Sequence, residues 1–494
     1  MIDLTSFIEC NHSLLIAPAG HGKTTAIADC IKLCPDDECQ LILTHTHAGI
    51  ASLKSKLLLK NIPSSKYKLE TITGFAQRYV LSILGSSVLP DENDKTYFNR
   101  AVEICVSLLE SKSIKQILKS SFGGVFVDEY QDCTIMQHNM VMKLAEILPM
   151  HILGDPLQGI FSFGNSRLVD LDSDLHHYMR FELLDYPWRW NESNPTLGQH
   201  ILSIRKDLEN AREVHLINHQ QDGFHVIKTP FDENQKYSLL REILNDNQSD
   251  SLLIIYPSYH EMNRYGKSRL RGTLTDRIEL KQRVDYANKF VVIDAIDSDE
   301  YYAGAKFIDQ YIENCRRSLK YKRVSGLYKI LTKMHLNKTE LKNWIDENKN
   351  TIKQRKKENA QVSESLLNCF QQFEKDLTYE NLKALISFIA QLPAIKLYHR
   401  IFYQTILMCF DIARLNNTTL YESMKILKTR VRHQGRRIQG RCIGTTLLTK
   451  GLEFDTVILW DAHKFQDSKN FYVAISRACK NLIILSDTLS IKFD

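Results

Sequence analysis

Residues 14–29 read Leu-Leu-Ile-Ala-Pro-Ala-Gly-His-Gly-Lys-Thr-Thr-Ala-Ile-Ala-Asp, and this stretch decides the fold. Its first three residues are apolar, as in a buried parallel strand. Gly20 and Gly22 then allow a tight turn that points backbone N–H groups at an anion. From Thr25 the pattern predicts a helix, and the N-terminus of a helix favours negative charge. Strand, turn and helix together predict a phosphate-binding loop in an α/β protein.

This loop has the residue types that nucleotide chemistry requires. Lys23 can reach the β and γ phosphates, and the hydroxyl of Thr24 can ligate Mg²⁺. The usual pattern has glycine where Ala17 stands, so an ordinary glycine turn before a helix is the alternative interpretation. We predict that the whole loop contacts the nucleotide, through Ala17, Pro18, Ala19, Gly20, His21, Gly22, Lys23, Thr24 and Thr25.

An acidic pair follows a second apolar run about a hundred residues later. Residues 125–127 are Val-Phe-Val, so Asp128 and Glu129 fall at the C-terminal end of a strand, where open α/β sheets bind ligands. Asp128 would hold Mg²⁺, and Glu129 would orient or deprotonate the attacking water. A solvated acidic turn is the alternative for this segment alone. Paired with the loop, the two carboxylates predict nucleotide hydrolysis.

Further segments carry a resemblance to a known family. They are Thr44-His45-Thr46-His47-Ala48-Gly49, Thr71-Ile72-Thr73-Gly74-Phe75, Gly154-Asp155-Pro156-Leu157-Gln158-Gly159-Ile160-Phe161, Asp185-Tyr186-Pro187-Trp188-Arg189, Lys450-Gly451-Leu452-Glu453-Phe454 and Tyr472-Val473-Ala474-Ile475-Ser476-Arg477-Ala478. Together with Asp-Glu-x-Gln-Asp at 128–132, their order resembles the motifs of UvrD/Rep-like superfamily-one DNA helicases. The resemblance implies an α/β fold with two RecA-like parallel-sheet motor domains and helical insertions.

The resemblance also implies roles in ATP hydrolysis. Gln158 stands where the family senses the γ-phosphate. Arg189 and Arg477 stand where guanidinium groups neutralise the transferring phosphoryl group, although a surface ion pair is the more common role of an arginine. Trp188 replaces the tyrosine that stacks on adenine, and Glu453 contacts the nucleotide in the family.

Other positions match segments that bind single-stranded DNA in the family. Thr44, His45 and Thr73 lie in two of them, with His45 in place of a stacking phenylalanine. Phe161 and Phe163 stand where the family stacks bases, but Phe-x-Phe is equally typical of a half-buried strand. Gly49 replaces a lysine, which removes a candidate phosphate contact.

Nucleotide selectivity is less constrained by the pattern. The family reads adenine with a glutamine upstream of the loop, and residues 1–13 contain none. We therefore expect ATP with Mg²⁺, and other NTPs or dNTPs as further candidates.

The order of these segments predicts how the domains divide the chain. We predict a first RecA-like domain at 1–180 with a small helical insertion at about 76–120. We predict a second RecA-like domain built from 181–300 and 431–494, with a helical insertion at 301–430 between its parts.

Composition limits the class of protein further. The chain has 494 residues and a formal net charge of +6, so any nucleic-acid footprint would be local. Eleven cysteines, an odd number, do not suggest a disulfide framework. We see no signal peptide and no apolar run of about 20 residues, so the expected location is cytoplasmic, without a membrane partner.

Two hypotheses of different classes remain. One is a stand-alone 3′-to-5′ DNA helicase of repair or recombination. The other is a sensor of single-stranded DNA or DNA ends that acts with a nuclease. The compact length and the Pro-Trp-Arg-Trp segment at 187–190 resemble the helicase-like subunits of Gabija anti-phage systems. That resemblance implies an OLD-family TOPRIM nuclease partner in a hetero-oligomer. An RNA helicase of the same superfamily is disfavoured by Asp-Glu-x-Gln-Asp but stays open.

Overall fold

The structure is a computed structural model that describes residues 3–90, 94, 96–160, 167–183, 186–210, 213–262, 266–287, 289–295, 299–318, 321–434 and 438–493. Contacts within the chain divide it into two compact units, residues 1–229 with 449–494 and residues 230–448. These units are defined by the density of contacts within each and do not test the domain boundaries that the sequence predicts. Those boundaries stay a prediction.

The N-terminal segment of the first unit contains both strands and helices. Its elements are α1 (Leu4–Glu9), β1 (His12–Ile16), α2 (Lys23–Leu33), β2 (Gln40–Thr44), α3 (His47–Leu59), β3 (Tyr67–Thr71), α4 (Ile72–Leu84), α5 (Tyr97–Leu108), α6 (Lys112–Ser121), β4 (Gly124–Val127), α7 (Ile135–Ala145), β5 (Met150–Gly154), β6 (Met179–Glu182), α8 (Trp188–Asn191), α9 (Pro195–Asn210), β7 (Glu213–His215) and β8 (Phe224–Lys228). Short 3₁₀ turns include Tyr130–Asp132 and Pro156–Gln158.

The second unit is mostly helical and also holds short strands. Its elements are α10 (Glu233–Asp246), β9 (Leu252–Ile255), β10 (Tyr259–Met262), β11 (Ser268–Arg271), α11 (Leu274–Val284), β12 (Val291–Val292), α12 (Asp299–Arg317), α13 (Arg323–Lys333), α14 (Lys338–Trp344), β13 (Ile345–Asp346), β14 (Thr351–Ile352), α15 (Ala360–Lys375), α16 (Tyr379–Ala390), α17 (Arg400–Asn416), α18 (Leu420–Gln434) and β15 (Arg441–Gly444). Strands β12, β15 and β9 are parallel neighbours in that order.

The chain then returns to the first unit. A short helix, α19 (Thr446–Thr449), is followed by β16 (Phe454–Leu459), α20 (Ser468–Ile475), β17 (Ala478–Ser486) and β18 (Ser490–Lys492). Strands β16, β17 and β8 are parallel neighbours, and β18 pairs antiparallel with β7. The α/β fold class predicted from the sequence, with parallel sheets and helical insertions, is confirmed.

One six-stranded parallel sheet positions the candidate site. Its strand order is β3-β2-β4-β5-β1-β6, and each neighbouring pair is parallel. Leu14 and Ile16 of β1 pack in one hydrophobic cluster, whereas Leu15 packs in another. Both faces of the sheet are therefore covered, as the continuous apolar runs predict. Because the strands are parallel, the segments that follow β1, β2, β4 and β5 leave the sheet at the same edge.

The core of the second unit is built by helices α12 to α18. In α16 the apolar residues recur at helical spacing and are all fully buried, namely Leu382, Leu385, Ile386 and Ile389. Among the described residues no helix is long and apolar enough to cross a membrane.

Candidate nucleotide site

The glycine turn after β1 has the geometry of an anion-binding loop. Gly20 and Gly22 have φ values of +73° and +88°, which residues with a side chain adopt at a cost. A Cβ atom at Gly20 would lie 2.8 Å from the Trp190 ring, so the close approach also requires glycine. Gly22 is the N-cap of α2, and Lys23 is its first residue. The Lys23 ammonium donates to the carbonyl of Ala17 at 2.9 Å, which folds it over the loop.

The acidic pair stands directly after β4, as predicted. The Asp128 amide donates to the carbonyl of Leu43 at 2.9 Å, and the Glu129 amide donates to Asp128 Oδ1 at 3.0 Å. Glu129 has a φ of +55°, an uncommon backbone conformation for a residue with a side chain. Such strain is often found at functional sites, where surrounding contacts hold it in place.

The two carboxylates have different electrostatic environments. Burial and the neighbouring Glu129 charge raise the pKa of Asp128. Burial also disfavours the charged form of Glu129, but the charges of Lys23 and Lys450 outweigh it and lower the pKa of Glu129. Glu129 is therefore held as a carboxylate. The oxygen donors of Asp128 and of the Thr24 hydroxyl are the ligand types that Mg²⁺ prefers, so these residues fit a bound magnesium.

A chain of buried hydrogen bonds links Glu129 to Gln158. The Gln131 side-chain amide donates to Glu129 Oε2, and Gln131 Oε1 accepts from the Asp155 backbone amide at 3.0 Å. Asp155 Oδ2 in turn accepts from the Gln158 side-chain amide at 2.8 Å. Asp155 is fully buried, and Gln131 and Gln158 are nearly so. The glutamine of the Asp-Glu-x-Gln-Asp segment thus orients the glutamate two residues before it.

The same network continues through a residue that the sequence analysis did not assign. Arg205 of α9 donates to Asp155 Oδ1 at 2.7 Å and to the Tyr472 hydroxyl at 3.1 Å. That hydroxyl accepts from the Ala19 amide of the glycine turn at 3.2 Å. A cation and a phenol therefore join Asp155 to the phosphate-binding loop. The signal for Arg205 was its place on the apolar face of α9, beside the buried residues Leu197, Ile201, Ile204 and Leu208.

A second buried ion pair joins the segment at 450–454 to the segment at 128–132. The Lys450 ammonium lies 2.7 and 2.5 Å from the two carboxylate oxygens of Asp132, and it also donates to the carbonyl of Gln158. Both side chains of the pair are almost completely buried. Buried charges need such pairing, because desolvation without a partner is costly.

The two arginines predicted to act on the phosphoryl group lie close to each other. Arg189 donates to Glu453 Oε1 at 2.6 and 3.0 Å and to the carbonyl of Ser476 at 2.5 Å. Arg477 is buried and donates to the carbonyls of Val473 and Leu452 at 2.9 and 3.3 Å. Burial and the charge of Arg189 lower the pKa of Arg477 to about 10, so it keeps its positive charge at neutral pH.

One cavity of about 310 Å³ brings most of these residues together. All the predicted catalytic residues line it, which are Lys23, Asp128, Glu129, Gln158, Arg189 and Arg477. Of the predicted nucleotide contacts, Pro18, Ala19, Gly20, Gly22, Lys23, Thr24, Thr25, Trp188 and Glu453 also line it. Ala17 and His21 are not among the lining residues. The lining also includes residues without a predicted contact, namely Thr46, Gly49, Ser52, Lys56, Asp132, Lys450 and Gly451.

The two tryptophans near the site have different environments. Trp188 is 62% exposed, contacts Tyr186 edge-on at 4.4 Å between ring centroids, and lies beside Gly22. An exposed ring at the rim of the cavity is suited to stacking on a base. Trp190 is fully buried, and its indole N–H donates to the carbonyl of Ala478 at 2.6 Å.

The described residues that were predicted to contact DNA do not all lie at the same place. Thr44 and His45 line the nucleotide cavity, whereas Thr73 lies in α4 and does not. Phe161 and Phe163 lie outside the described residues. His45 Nε2 is 3.3 Å from Cys133 Sγ, and burial together with the charge of Lys450 lowers the pKa of His45 to about 3. Its imidazole is therefore neutral at physiological pH.

Gly49 has a structural reason that the sequence did not show. A Cβ atom at this position would lie 2.6 Å from Thr44 Oγ1 and 3.2 Å from Thr44 Cγ2. The Gly49 amide donates to the Thr46 hydroxyl at 3.0 Å, which caps α3. Glycine at this position therefore allows α3 to begin close to Thr44.

Parts of the chain are similar to known proteins. Residues 89–178 match the profile of the UvrD/REP helicase N-terminal domain. An ATP-dependent helicase/nuclease subunit from Alkaliphilus metalliredigens is 27% identical over 119 residues, which are 24% of this chain and 9% of that protein. The RecBCD enzyme subunit RecB of Buchnera aphidicola is 24% identical over 117 residues, 22% of this chain and 10% of that protein. Over these segments the chain is similar to UvrD/REP helicases and to the two subunits named.

The extent of these matches is small. The chain matches about a tenth of the length of each of the two curated relatives. Among solved structures, the DEAH/RHA helicase HrpB of Escherichia coli aligns with a TM-score of 0.29 at 12% identity, over 59% of this chain and 29% of that one.

Proposed function

We propose that the chain is a DNA-dependent NTPase of the UvrD-like helicase type. It hydrolyses ATP with Mg²⁺, and accepts other NTPs or dNTPs, when single-stranded DNA or a DNA end is bound. The observation that carries the proposal is the single cavity where the glycine turn, two carboxylates, a glutamine and two arginines meet. In-line phosphoryl transfer needs charge neutralisation and a positioned water, and these groups supply both.

Each residue has a proposed role in that reaction. Lys23 neutralises the β and γ phosphates, and Thr24 and Asp128 hold Mg²⁺. Glu129 orients or deprotonates the attacking water. Its lowered pKa keeps it a carboxylate that accepts a hydrogen bond from water, and its bond to Gln131 fixes its direction. Gln158 reports the γ-phosphate through Asp155. Arg189 and Arg477 neutralise charge on the transferring group, an effect worth about 10³–10⁵ in rate in related chemistry.

The finer proposal concerns a partner. The chain resembles GajB, the helicase-like subunit of the Gabija anti-phage system, through its Pro-Trp-Arg-Trp segment at 187–190. We propose that it assembles with an OLD-family TOPRIM nuclease in a cytoplasmic hetero-oligomer and couples recognition of DNA ends to that nuclease. The alternative is a stand-alone 3′-to-5′ DNA helicase in repair or recombination.

Hydrolysis by the purified chain tests the first level of the proposal. We expect ATPase activity that rises with single-stranded DNA or DNA ends, and Lys23→Ala and Glu129→Gln should abolish it. Exposed residues of the same type give matched controls, and Lys32→Ala and Glu146→Gln should keep full activity. Substantial turnover in either site variant would refute the assigned roles. Stimulation by RNA alone would favour an RNA helicase.

Two further measurements separate sensing from unwinding. Robust strand displacement by the isolated chain would support the stand-alone helicase and contradict the sensor. Purification from the native host should recover a TOPRIM nuclease with the chain, and its absence would remove the defence proposal. Neither result alters the prediction for hydrolysis, so the two levels can fail separately.

A further inference from the structure

A second group of potential metal ligands lies in the helical unit, among residues that the proposed hydrolysis does not use. Glu300 stands in the first turn of α12, His335 follows α13, and His399 is the N-cap of α17. One ligand atom from each residue lies within 4.8 Å of the others. The start of α12, the segment after α13 and the N-cap of α17 therefore bring two imidazoles and a carboxylate to one point.

The positions of these groups are well defined by their surroundings. His335 Nε2 lies 2.7 Å from Glu300 Oε1, and the rings of His335 and His399 meet edge-on at 5.4 Å between centroids. His399 is fully buried and stacks on Phe402 at 5.6 Å between centroids. His335 has a φ of +60°, an uncommon conformation for a residue with a side chain. Packing and backbone together fix the directions of both imidazoles.

A buried carboxylate adds a fourth candidate ligand. Asp294 Oδ2 is 3.9 Å from His399 Nε2, and Asp294 is 7% exposed. The structure thus offers two nitrogen and two oxygen donors, of which Glu300 and His335 are reachable from solvent. A metal ion would have an entry path on that side.

The donor set selects a class of metal. Imidazole nitrogen with carboxylate oxygen suits Zn²⁺ and similar divalent transition metals, whereas Mg²⁺ and Ca²⁺ prefer oxygen alone. Tetrahedral Zn²⁺ with bonds of about 2.0–2.2 Å holds its ligand atoms roughly 3.3–3.5 Å apart. The separation of His335 and Glu300 would widen slightly to reach that value, and His399 would move closer. These are side-chain adjustments rather than movements of helices.

The geometry points to a Zn²⁺ site formed by Glu300, His335 and His399, with Asp294 or a water molecule as the fourth ligand. The ion ties the start of α12, the segment after α13 and the start of α17 into one structural centre. The ordinary alternative is a hydrogen bond between His335 and Glu300 beside a packed histidine. That alternative predicts no stoichiometric metal.

Metal titration of the full chain distinguishes the two. The protein is purified without a histidine tag, stripped with a chelator and titrated with Co²⁺, whose visible absorption reports tetrahedral coordination. We expect one equivalent of Co²⁺ per chain, displaced by Zn²⁺, and a thermal midpoint raised by Zn²⁺. Glu300→Gln and His335→Gln change partly exposed side chains and should weaken binding at least tenfold.

The matched control is His260→Gln, because His260 is exposed on β10 and outside the cluster. It should bind the metal as the unmodified chain does. Binding of less than one equivalent, or equal binding by the Glu300 and His335 variants, would overturn the proposal. A thermal midpoint unchanged by Zn²⁺ would also contradict it. ATP hydrolysis is not part of the readout, so these outcomes do not depend on the proposed function.

Discussion

Replacement of Arg205 tests whether the buried network holds the nucleotide site together. Arg205→Met keeps a long apolar side chain but removes the guanidinium from Asp155 and Tyr472. The side chains of Arg205 and Asp155 are 7% and 0% exposed. Breaking a buried pair by removing one partner costs about 3–5 kcal/mol, because a charge remains buried without compensation. Asp155 keeps its hydrogen bonds to the Leu157 amide at 3.2 Å and to Gln158. We therefore expect a cost at the lower end of this energy range.

Two assays should show this loss. With about 2–4 °C lost for each kcal/mol in a large domain, a cost near 3 kcal/mol lowers the melting midpoint by at least about 6 °C. ATP turnover should also fall, by up to ~100-fold, since displacement of a positioning group by about 1 Å has effects of this size. Arg205 links Asp155, which holds Gln158, to the Tyr472 hydroxyl, which holds the Ala19 amide. Its loss therefore removes the connection between these two anchors.

The controls separate the network from general effects of losing an arginine. Arg100→Met removes an exposed arginine whose surface ion pair is worth at most about 1 kcal/mol. The double variant Asp155→Asn/Arg205→Met removes both charges and should recover at least half of the lost stability. A melting change in Arg205→Met no larger than in Arg100→Met would refute the reasoning. So would a double variant whose loss equals the sum of the single losses.

Two other changes test the walls of the cavity. Gly49→Ala should lower stability by about 1–2 kcal/mol despite its better helix propensity, because its Cβ would lie 2.6 Å from Thr44 Oγ1. Thermal melting checks this, and the loss should disappear in a Thr44→Ala background. Trp188→Ala should raise the KM for ATP about 5- to 100-fold if the exposed ring stacks on the base, whereas Trp188→Tyr should largely keep it. Steady-state kinetics decide, and an unchanged KM in the alanine variant would contradict the stacking role.

The sequence predicted the parts of the site that depend on strand ends. Residues after β1 and β4 carry recognisable local patterns, and parallel strands deliver them to one edge of the sheet. Lys23 and Glu129 could therefore be assigned to a common cavity from the sequence alone. Helical periodicity is local in the same way, and the buried apolar residues of α16 follow it.

Pairings between distant side chains were beyond the same reasoning. Arg205 and Asp155 are 50 residues apart, and Lys450 and Asp132 are 318 apart. The residues around each charged side chain do not predict its partner, because the ion pair depends on how distant helices and loops pack. The glycine at position 49 is a similar case. The structure explains it by the nearness of Thr44 Oγ1, whereas the sequence suggested only the loss of a phosphate contact. The sequence signal for such a network is an arginine at a position where helical periodicity predicts an apolar, buried residue.

Glu453 gives the sharpest remaining test of how the arginines act. The family resemblance implies that Glu453 contacts the nucleotide, whereas the structure pairs it with Arg189 at 2.6 Å. The charge of Arg189 also lowers the pKa of Glu453, so the pair is ionised at neutral pH. A nucleotide phosphate would then have to replace Glu453 as the partner of Arg189.

On this reasoning Glu453→Gln should tighten ATP binding. The pair is partly exposed, with 54% of the Glu453 side chain accessible, so its loss is worth at most about 1 kcal/mol, or roughly fivefold in affinity. Binding of a non-hydrolysable ATP analogue measures the change, and the exposed Glu192→Gln serves as control. The gain should vanish in an Arg189→Ala background, because no guanidinium is left to release. Weaker binding in both backgrounds would instead mean that Glu453 touches the nucleotide directly, independently of Arg189.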